Sequence, residues 1–233
     1  MVEPHASDLG FLESPSNKQQ LDGMSYCYQT LIRLIILVVV LLPSLSTADT
    51  PYLTVARDAY KAGHPAMAIK ELRPHLGTDP DAQYLMGRIL EEGGQGVNSN
   101  PQQAISWYAR AAESDHAEAF FALGRLFERG EGLAHNYREA RQWYAKGAAI
   151  NHLPSQLHLG LMLNEGRGGP REVIEGLAWL SLADEMGDPA ATKLLSHHLE
   201  SLDTPQRAQL SQRTAELRAA LPHPKPKPES TPR

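Results

Sequence analysis

The stretch AFFALGRLFERGEG (119–132), followed by NYREARQWYAKGAA (136–149), decides the architecture, because its pattern recurs on either side of it. Three markers measure the recurrence: an inner Gly, a loop Gly pair and a Trp. The inner Gly is Gly87, Gly124 and Gly160, stepping by 37 and then 36 residues. The Trp is Trp107, Trp143 and Trp179, stepping by 36 and 36. In every copy the first loop Gly (Gly93, Gly130, Gly166) lies six residues after the inner Gly, and the Trp lies eleven after the second loop Gly (Gly96, Gly132, Gly168). The extra residue of the first copy therefore sits in Gly93-Gly94-Gln95-Gly96, within the loop. There it keeps the helical faces in phase; inside a helix it would turn the apolar stripe by about 100°.

Each copy reads as two helices. In the first, Leu123, Leu126 and Phe127 follow Ala119 and Ala122 at helical spacing; in the second, Ala140, Trp143, Tyr144, Gly147 and Ala148 do so. The equivalents are Ala104, Trp107, Tyr108, Ala111 and Ala112, then Gly176, Trp179, Leu180, Ala183 and Asp184. An inner Gly costs about 1 kcal/mol of helix propensity relative to Ala. Its recurrence predicts that a neighbouring helix or Trp ring takes the space. The loop Gly residues permit positive φ at the helix end. One such pair cannot bury its apolar face alone, so the units must stack.

The pattern resembles the Sel-one-like repeat family, relatives of the tetratricopeptide repeats. Ala82 to Asp115 and Ala119 to Asn151 fit the family pattern, with Val97 after the loop Gly and Phe127 at a Tyr position. Gln156 to Gly187 departs from it: Gly169-Pro170 replaces the Val, Glu172 takes the cap position, Leu180 replaces the second aromatic and Asp184 a small residue. The resemblance implies an all-α fold, a right-handed α/α superhelical solenoid. It implies binding of a protein or peptide, and carries over no catalytic residue.

The 233 residues carry a net charge of −5, against a nucleic-acid partner, for which a basic stripe is expected. Residues 1–23 are polar and aperiodic, a disordered segment or a mis-assigned start. Met24 is the better start, because 24–48 has the anatomy of a secretory signal: Arg33, the apolar run Leu34–Leu42, Pro43, and the small residues Ser46-Thr47-Ala48. The run of nine residues spans about 14 Å as helix, short of a roughly 30 Å hydrocarbon core. The expectation is cleavage after Ala48 and a periplasmic or secreted protein without a stable membrane span; the alternative is an inner-membrane signal anchor. Cys27, the single cysteine, precedes the run, so the mature chain has no disulfide and no cysteine metal site.

From Asp49 the expected units are a divergent hairpin (49–78), three repeats (79–116, 117–152, 153–188), capping helices (189–221) and a Pro/Lys-rich disordered tail (222–233). In the hairpin, Val55, Ala59 and Tyr60 are predicted to face Met67, Ile69 and Leu72. Asp79-Pro80 opens a helix, Asp as N-cap and Pro at the first helical position. Asn100-Pro101, Asp188-Pro189 and Thr204-Pro205 repeat the device. Repeats two and three are predicted to start near Asp115 and Asn151. In the last helix Ala208, Leu210, Ala215, Leu217 and Ala220 face inward, beneath the polar Gln206, Arg207, Gln209, Gln212, Arg213 and Arg218.

Trp107, Trp143 and Trp179 keep one repeat register, as core residues do, and as core each Trp→Ala would cost about 3–5 kcal/mol. Nine histidines follow Ala48. His116 and His152 share a register, while the adjacent His197 and His198 point about 100° apart on a helix. No H-E-x-x-H, Cys–His spacing, G-x-S-x-G or Gly-Lys-Ser/Thr ending occurs. No catalytic residue, metal site or cofactor is expected. The candidate partner-binding residues are Arg88 and Arg125, which follow their inner Gly, with Glu91, Glu128 and the equivalent Asn164 three residues on. The resemblance puts these first helices on the concave face. An ordinary solvated face with i,i+3 ion pairs, worth a few tenths of a kcal/mol each, explains the same stripe. Of the adjacent Phe120 and Phe121, one is expected to be exposed. Lys225, Lys227 and Arg233 offer the tail a weak, salt-sensitive contact with anionic envelope polymers. The expected function is an exported interaction scaffold or adaptor, not an enzyme. A cell-wall hydrolase, which would need a deep pocket with convergent carboxylates or His, and a passive spacer are the alternatives.

Overall fold

The computed structural model describes residues 50–130 and 134–222. The expectations for 1–23, for the signal 24–48 with Cys27, and for the tail beyond Pro222 fall outside the described residues. Among the described residues ten α-helices follow one another: α1 (Pro51–Lys61), α2 (Pro65–Leu72), α3 (Pro80–Glu92), α4 (Pro101–Ala112), α5 (Ala117–Arg129), α6 (Tyr137–Ala149), α7 (Leu153–Glu165), α8 (Val173–Glu185), α9 (Pro189–Leu199) and α10 (Thr204–Ala220). The described residues contain no strand, only an isolated bridge between Gly94 and Val97.

Helices pair as α1–α2, α3–α4, α5–α6 and α7–α8, and each pair packs on the next through α2–α3, α4–α5, α6–α7 and α8–α9. The result is an all-α solenoid. Two first helices also meet across units, α1 on α3 and α5 on α7, whereas the second helices of neighbouring repeats come less close. The first helices share one side of the row, called the inner wall below because the resemblance makes that side the concave one. At the far end α10 folds back onto α8. That cover explains α8, which buries residues all round its circumference: Leu177, Ala178, Trp179, Leu180, Leu182 and Ala183.

Two backbone devices recur at the helix ends. Asn100, Asn136 and Glu172, each just before a second helix, donate their backbone N–H to Leu90, Phe127 and Leu163 carbonyls of the preceding first helix, at 2.6, 2.9 and 2.9 Å. Asn100 and Asn136 also cap that second helix with their side chains; Glu172 does not. After the second helix the chain turns on two residues. Asp115, Asn151 and Gly187 take φ of 55°, 65° and 86°. His116, His152 and Asp188 follow and donate their N–H back to Ala111, Gly147 and Ala183 carbonyls. These latter three are the N-caps of α5, α7 and α9. The first helices therefore start two residues later than the Asp115 and Asn151 expectation. Asp and Asn pass here because their short polar side chains tolerate the left-handed region better than other non-Gly residues.

The Pro starts at 80, 101 and 189 have Asp79, Asn100 and Asp188 as side-chain caps. The fourth is shifted: Asp203, not Thr204, caps α10, in a reciprocal box with Gln206. The hairpin faces are also corrected. α1 buries Leu53, Ala56 and Ala59, and α2 buries Pro65, Ala68 and Leu72. Val55 and Met67 are exposed. In α10 the buried stripe is Leu210, Thr214 and Leu217, and Ala208, Ala215 and Ala220 face solvent. Thr214 belongs there because its hydroxyl donates to the Leu210 carbonyl and so enters the core satisfied.

The ring at the centre of each repeat is the residue after the Trp. Tyr108, Tyr144 and Leu180 are fully buried, while Trp107 and Trp143 are half-buried on the flank. Trp179 is buried. Arg110 and Lys146 lie over the Trp107 and Trp143 rings at 4.7 and 4.0 Å. The inner Gly makes room for this neighbour: a Cβ on Gly87 or Gly124 would come within 2.7 or 2.5 Å of the Tyr108 or Tyr144 ring, and one on Gly160 within 2.8 Å of Leu180. Gly124→Ala sets an overpacking cost of about 1–3 kcal/mol against about 1 kcal/mol of helix propensity. Net destabilisation is expected, read as a lower urea midpoint; a variant as stable as the parent would refute the close approach.

Candidate docking surface

The inner wall carries three rows in repeat register. Three residues before the inner Gly stand Tyr84, Phe121 and Leu157, all half-buried. One residue after it stand Arg88, Arg125 and Leu161. Four after it stand Glu91, Glu128 and Asn164.

The last row is not a solvated stripe. The Glu91 side chain is 8% exposed and Glu128 15%. Each accepts a hydrogen bond from the central Tyr of its own repeat, Tyr108 Oη and Tyr144 Oη, at 2.7 Å. Each also takes a base from the next repeat. Arg125 Nη2 reaches Glu91 at 2.5 Å, and Arg167 Nη1 reaches Glu128 at 2.5 Å, with His158 Nδ1 at 3.3 Å. Asn164 is buried, and its amide donates to His198 Nε2 at 3.0 Å. The i,i+3 pairs expected within each helix are thus replaced by links between units. The exception is Arg88, which pairs with Glu92 in its own helix at 3.0 Å and lies over Tyr60.

These links set the ionisation. The His158 imidazole, then the Tyr144 hydroxyl and Arg167, hold the Glu128 carboxyl at about 2, against the upward push of burial. Burial and then the adjacent Glu carboxylates push the Tyr108 and Tyr144 phenols up, so both remain neutral donors.

The aromatic row packs on the two histidines of shared register, which end their repeats as the N-caps of the next first helices. Tyr84 stacks on His116 at 4.7 Å, and Phe121 meets His152 at 5.8 Å and His158 at 5.2 Å. His116 Nδ1 accepts from Ala119 N–H at 3.3 Å, so one ring caps a helix and packs a joint. Phe120 is the buried member of the Phe pair and stacks on Trp143. At the N-terminal end a concavity of about 350 Å³ lies between α1 and α3, lined by Arg57, Tyr60, Lys61, Asp81, Tyr84 and Arg88.

A cleft of about 560 Å³ lies where α6 and α8 part over Leu159, Leu163 and Trp179. Its carboxylates are engaged: Glu172 by Arg141 at 2.5 Å, and Glu175 by Arg213 at 2.5 Å and by Trp179 Nε1 at 3.1 Å. No group of three or more metal-ligating side chains occurs among the described residues. No described helix is long and apolar enough to cross a membrane.

The Sel1 repeat profile matches residues 80–116, 117–152 and 153–188. No curated protein matches the chain. Among solved structures, the Sel1 repeat protein from Oxalobacter formigenes is 35% identical with a TM-score of 0.58, covering 61% of this chain and 59% of that one. The chain thus spans about three-fifths of that relative's length. A protective antigen of uropathogenic Escherichia coli displaying an SLR fold is 20% identical, TM-score 0.45, over 72% of this chain and 45% of that one. Cysteine-rich protein B of Helicobacter pylori is 17% identical, TM-score 0.44, over 63% and 98%. Residues 80–188 thus carry three successive Sel1 repeats.

Proposed function

We propose that this protein is an exported scaffold that docks another protein or a peptide against the inner wall of its first helices. Sel1 repeat proteins are generally protein-interaction scaffolds. The observation that carries the docking face is the half-buried row Tyr84, Phe121 and Leu157 beside the partly exposed guanidiniums of Arg88 and Arg125. Apolar surface next to unsaturated donors is what an interface uses for anchoring and orientation. Beneath it, Glu91, Glu128 and Asn164 hold the repeats in line, so their part in docking is to position the wall. Export rests on the signal-like segment 24–48, with cleavage after Ala48 releasing the solenoid into the periplasm or beyond.

Capture on the immobilised mature chain from envelope extracts, compared with Arg88→Glu/Phe121→Ala, tests the face. A partner retained by the parent and lost by the folded variant is expected; a partner indifferent to both substitutions sinks the inner-wall reading. Intact mass of the natural protein checks the export step, with a mature N-terminus at Asp49 expected.

A further inference from the structure

The last hairpin of the array is open, and the flank it leaves bare is self-complementary. We infer that a second copy of this chain docks there, α9 against α9, antiparallel about a twofold axis that passes between Ser196 and His197. This contact is separate from the inner wall and does not depend on it.

The first ground is a missing cover. In the three repeats the first helix gives one flank to its own second helix, where Gly87, Gly124 and Gly160 are buried against Tyr108, Tyr144 and Leu180. Ser196 stands in that register, 36 residues after Gly160, and is exposed. α10 is not paired with α9 as the earlier second helices are with their first helices. It lies on α8 instead, burying Leu210, Thr214 and Leu217 and pairing Arg213 with Glu175 and Arg218 with Glu185. The sequence of α10 accounts for this. Tyr108, Tyr144 and Leu180 each stand eight residues after their N-caps, Asn100, Asn136 and Glu172. Eight residues after Asp203 stands Ser211, which has too little bulk to fill the seat. The Leu199 carbonyl, in the register of Leu163, takes Arg207 Nη2 at 2.8 Å rather than the backbone N–H that ties each repeat's hairpin.

The second ground is charge. α9 buries Ala191 and Leu195. On its opposite side Pro189, Lys193, Ser196 and Glu200 recur at steps of four, three and four, which is one stripe along a helix, and all are exposed, as is His197 beside them. Glu200, the C-cap, keeps helical φ and ψ and so continues the stripe. The Lys193 and Glu200 side chains have no hydrogen bond or ion pair among the described residues. They lie about 10 Å apart along the axis, too far to meet within one copy. An antiparallel α9 with the axis between Ser196 and His197 sets Lys193 opposite Glu200 of the second copy, and symmetry makes the pair twice. A parallel pairing would set Lys193 on Lys193 and Glu200 on Glu200, so the charges select the antiparallel one. Ser196 at the axis is small enough for the two helices to approach closely. A single helix of 11 residues from each copy buries less than a standard interface of about 1,600 Å², so the dimer exchanges with monomer.

Sedimentation equilibrium of the full chain over a concentration series reads the dimer. The parent is expected to associate reversibly, and more weakly as salt rises. Lys193→Glu or Glu200→Lys alone turns two attractions into two repulsions and should weaken the dimer about tenfold. The double variant Lys193→Glu/Glu200→Lys restores opposite signs across the axis and should recover it; circular dichroism melts confirm folding of each variant. On a Cys27→Ser background, Ser196→Cys should give a disulfide-linked dimer on oxidation, and Ser211→Cys on α10 should not. A monomeric parent, single variants that associate as the parent does, or a double variant no better than the singles overturns the inference. Association through the apolar run at 34–42 would show as indifference to the charge substitutions and overturns it equally.

Discussion

Tyr144→Ala is expected to lower the unfolding free energy by about 3–5 kcal/mol, and Trp143→Ala, one residue earlier, by only about 1–2 kcal/mol. Tyr144 is fully buried, its ring fills the space left by Gly124, and its hydroxyl donates to Glu128. Removing it opens a cavity between repeats and takes a donor from a buried carboxylate. Trp143 is half-buried, stacked on Phe120 and covered by Lys146, so its loss is filled in part by solvent. Tyr144→Phe separates the two contributions and should retain most of the stability. Urea unfolding followed by far-ultraviolet circular dichroism reads all three. Losses of equal size for Ala at 143 and 144, or the reverse order, would refute the assignment of the central ring.

The second large effect concerns acid. The folded state holds the Glu128 carboxyl at about 2 rather than the usual 4.5. A depressed carboxyl stabilises the fold fully above its unfolded value and ceases to do so as pH falls through the folded one. The link between repeats two and three should therefore weaken between about pH 4.5 and 2. The cluster is partly solvated, so the contribution is about 1–2 kcal/mol rather than the full value of the shift. Glu128→Gln should lose about that much at neutral pH and show a flatter stability profile below pH 4.5. Parallel profiles for parent and variant would mean that the carboxyl is not held by its neighbours.

The three repeats were legible because glycines and Pro-led starts act locally, and a local signal survives in a one-dimensional chain. Which ring filled the glycine's space was not. Trp143 and Tyr144 are both apolar and sit about 100° apart on a helix, so periodicity admits either. The same one-step ambiguity put Val55 and Met67 on the buried faces of α1 and α2, where Leu53, Ala56 and Ala68 stand. Glu91 and Glu128 looked like surface because their partners lie far along the chain: Tyr108 and Arg125 for one, Tyr144 and Arg167 for the other. His116 and His152 showed their shared register but not their role, since His is not among the usual N-cap residues. The docking wall is the same kind of case: each row was visible as a spacing, and the layering of acid under base needed the fold.

The acid of one unit met by the base of the next makes the array directional, and it defines what can be concatenated. Residues 117–152 carry both halves of the linkage, Arg125 facing backward and Glu128 facing forward. A tandem duplicate of that segment, inserted at its own boundary, should fold as an additional rung. A duplicate of 153–188 should not, because Asn164 offers the following copy's Arg167 no carboxylate, having exchanged the ionic link for a neutral one to His198. The change from carboxylate to amide at the third unit thus marks where the array stops growing.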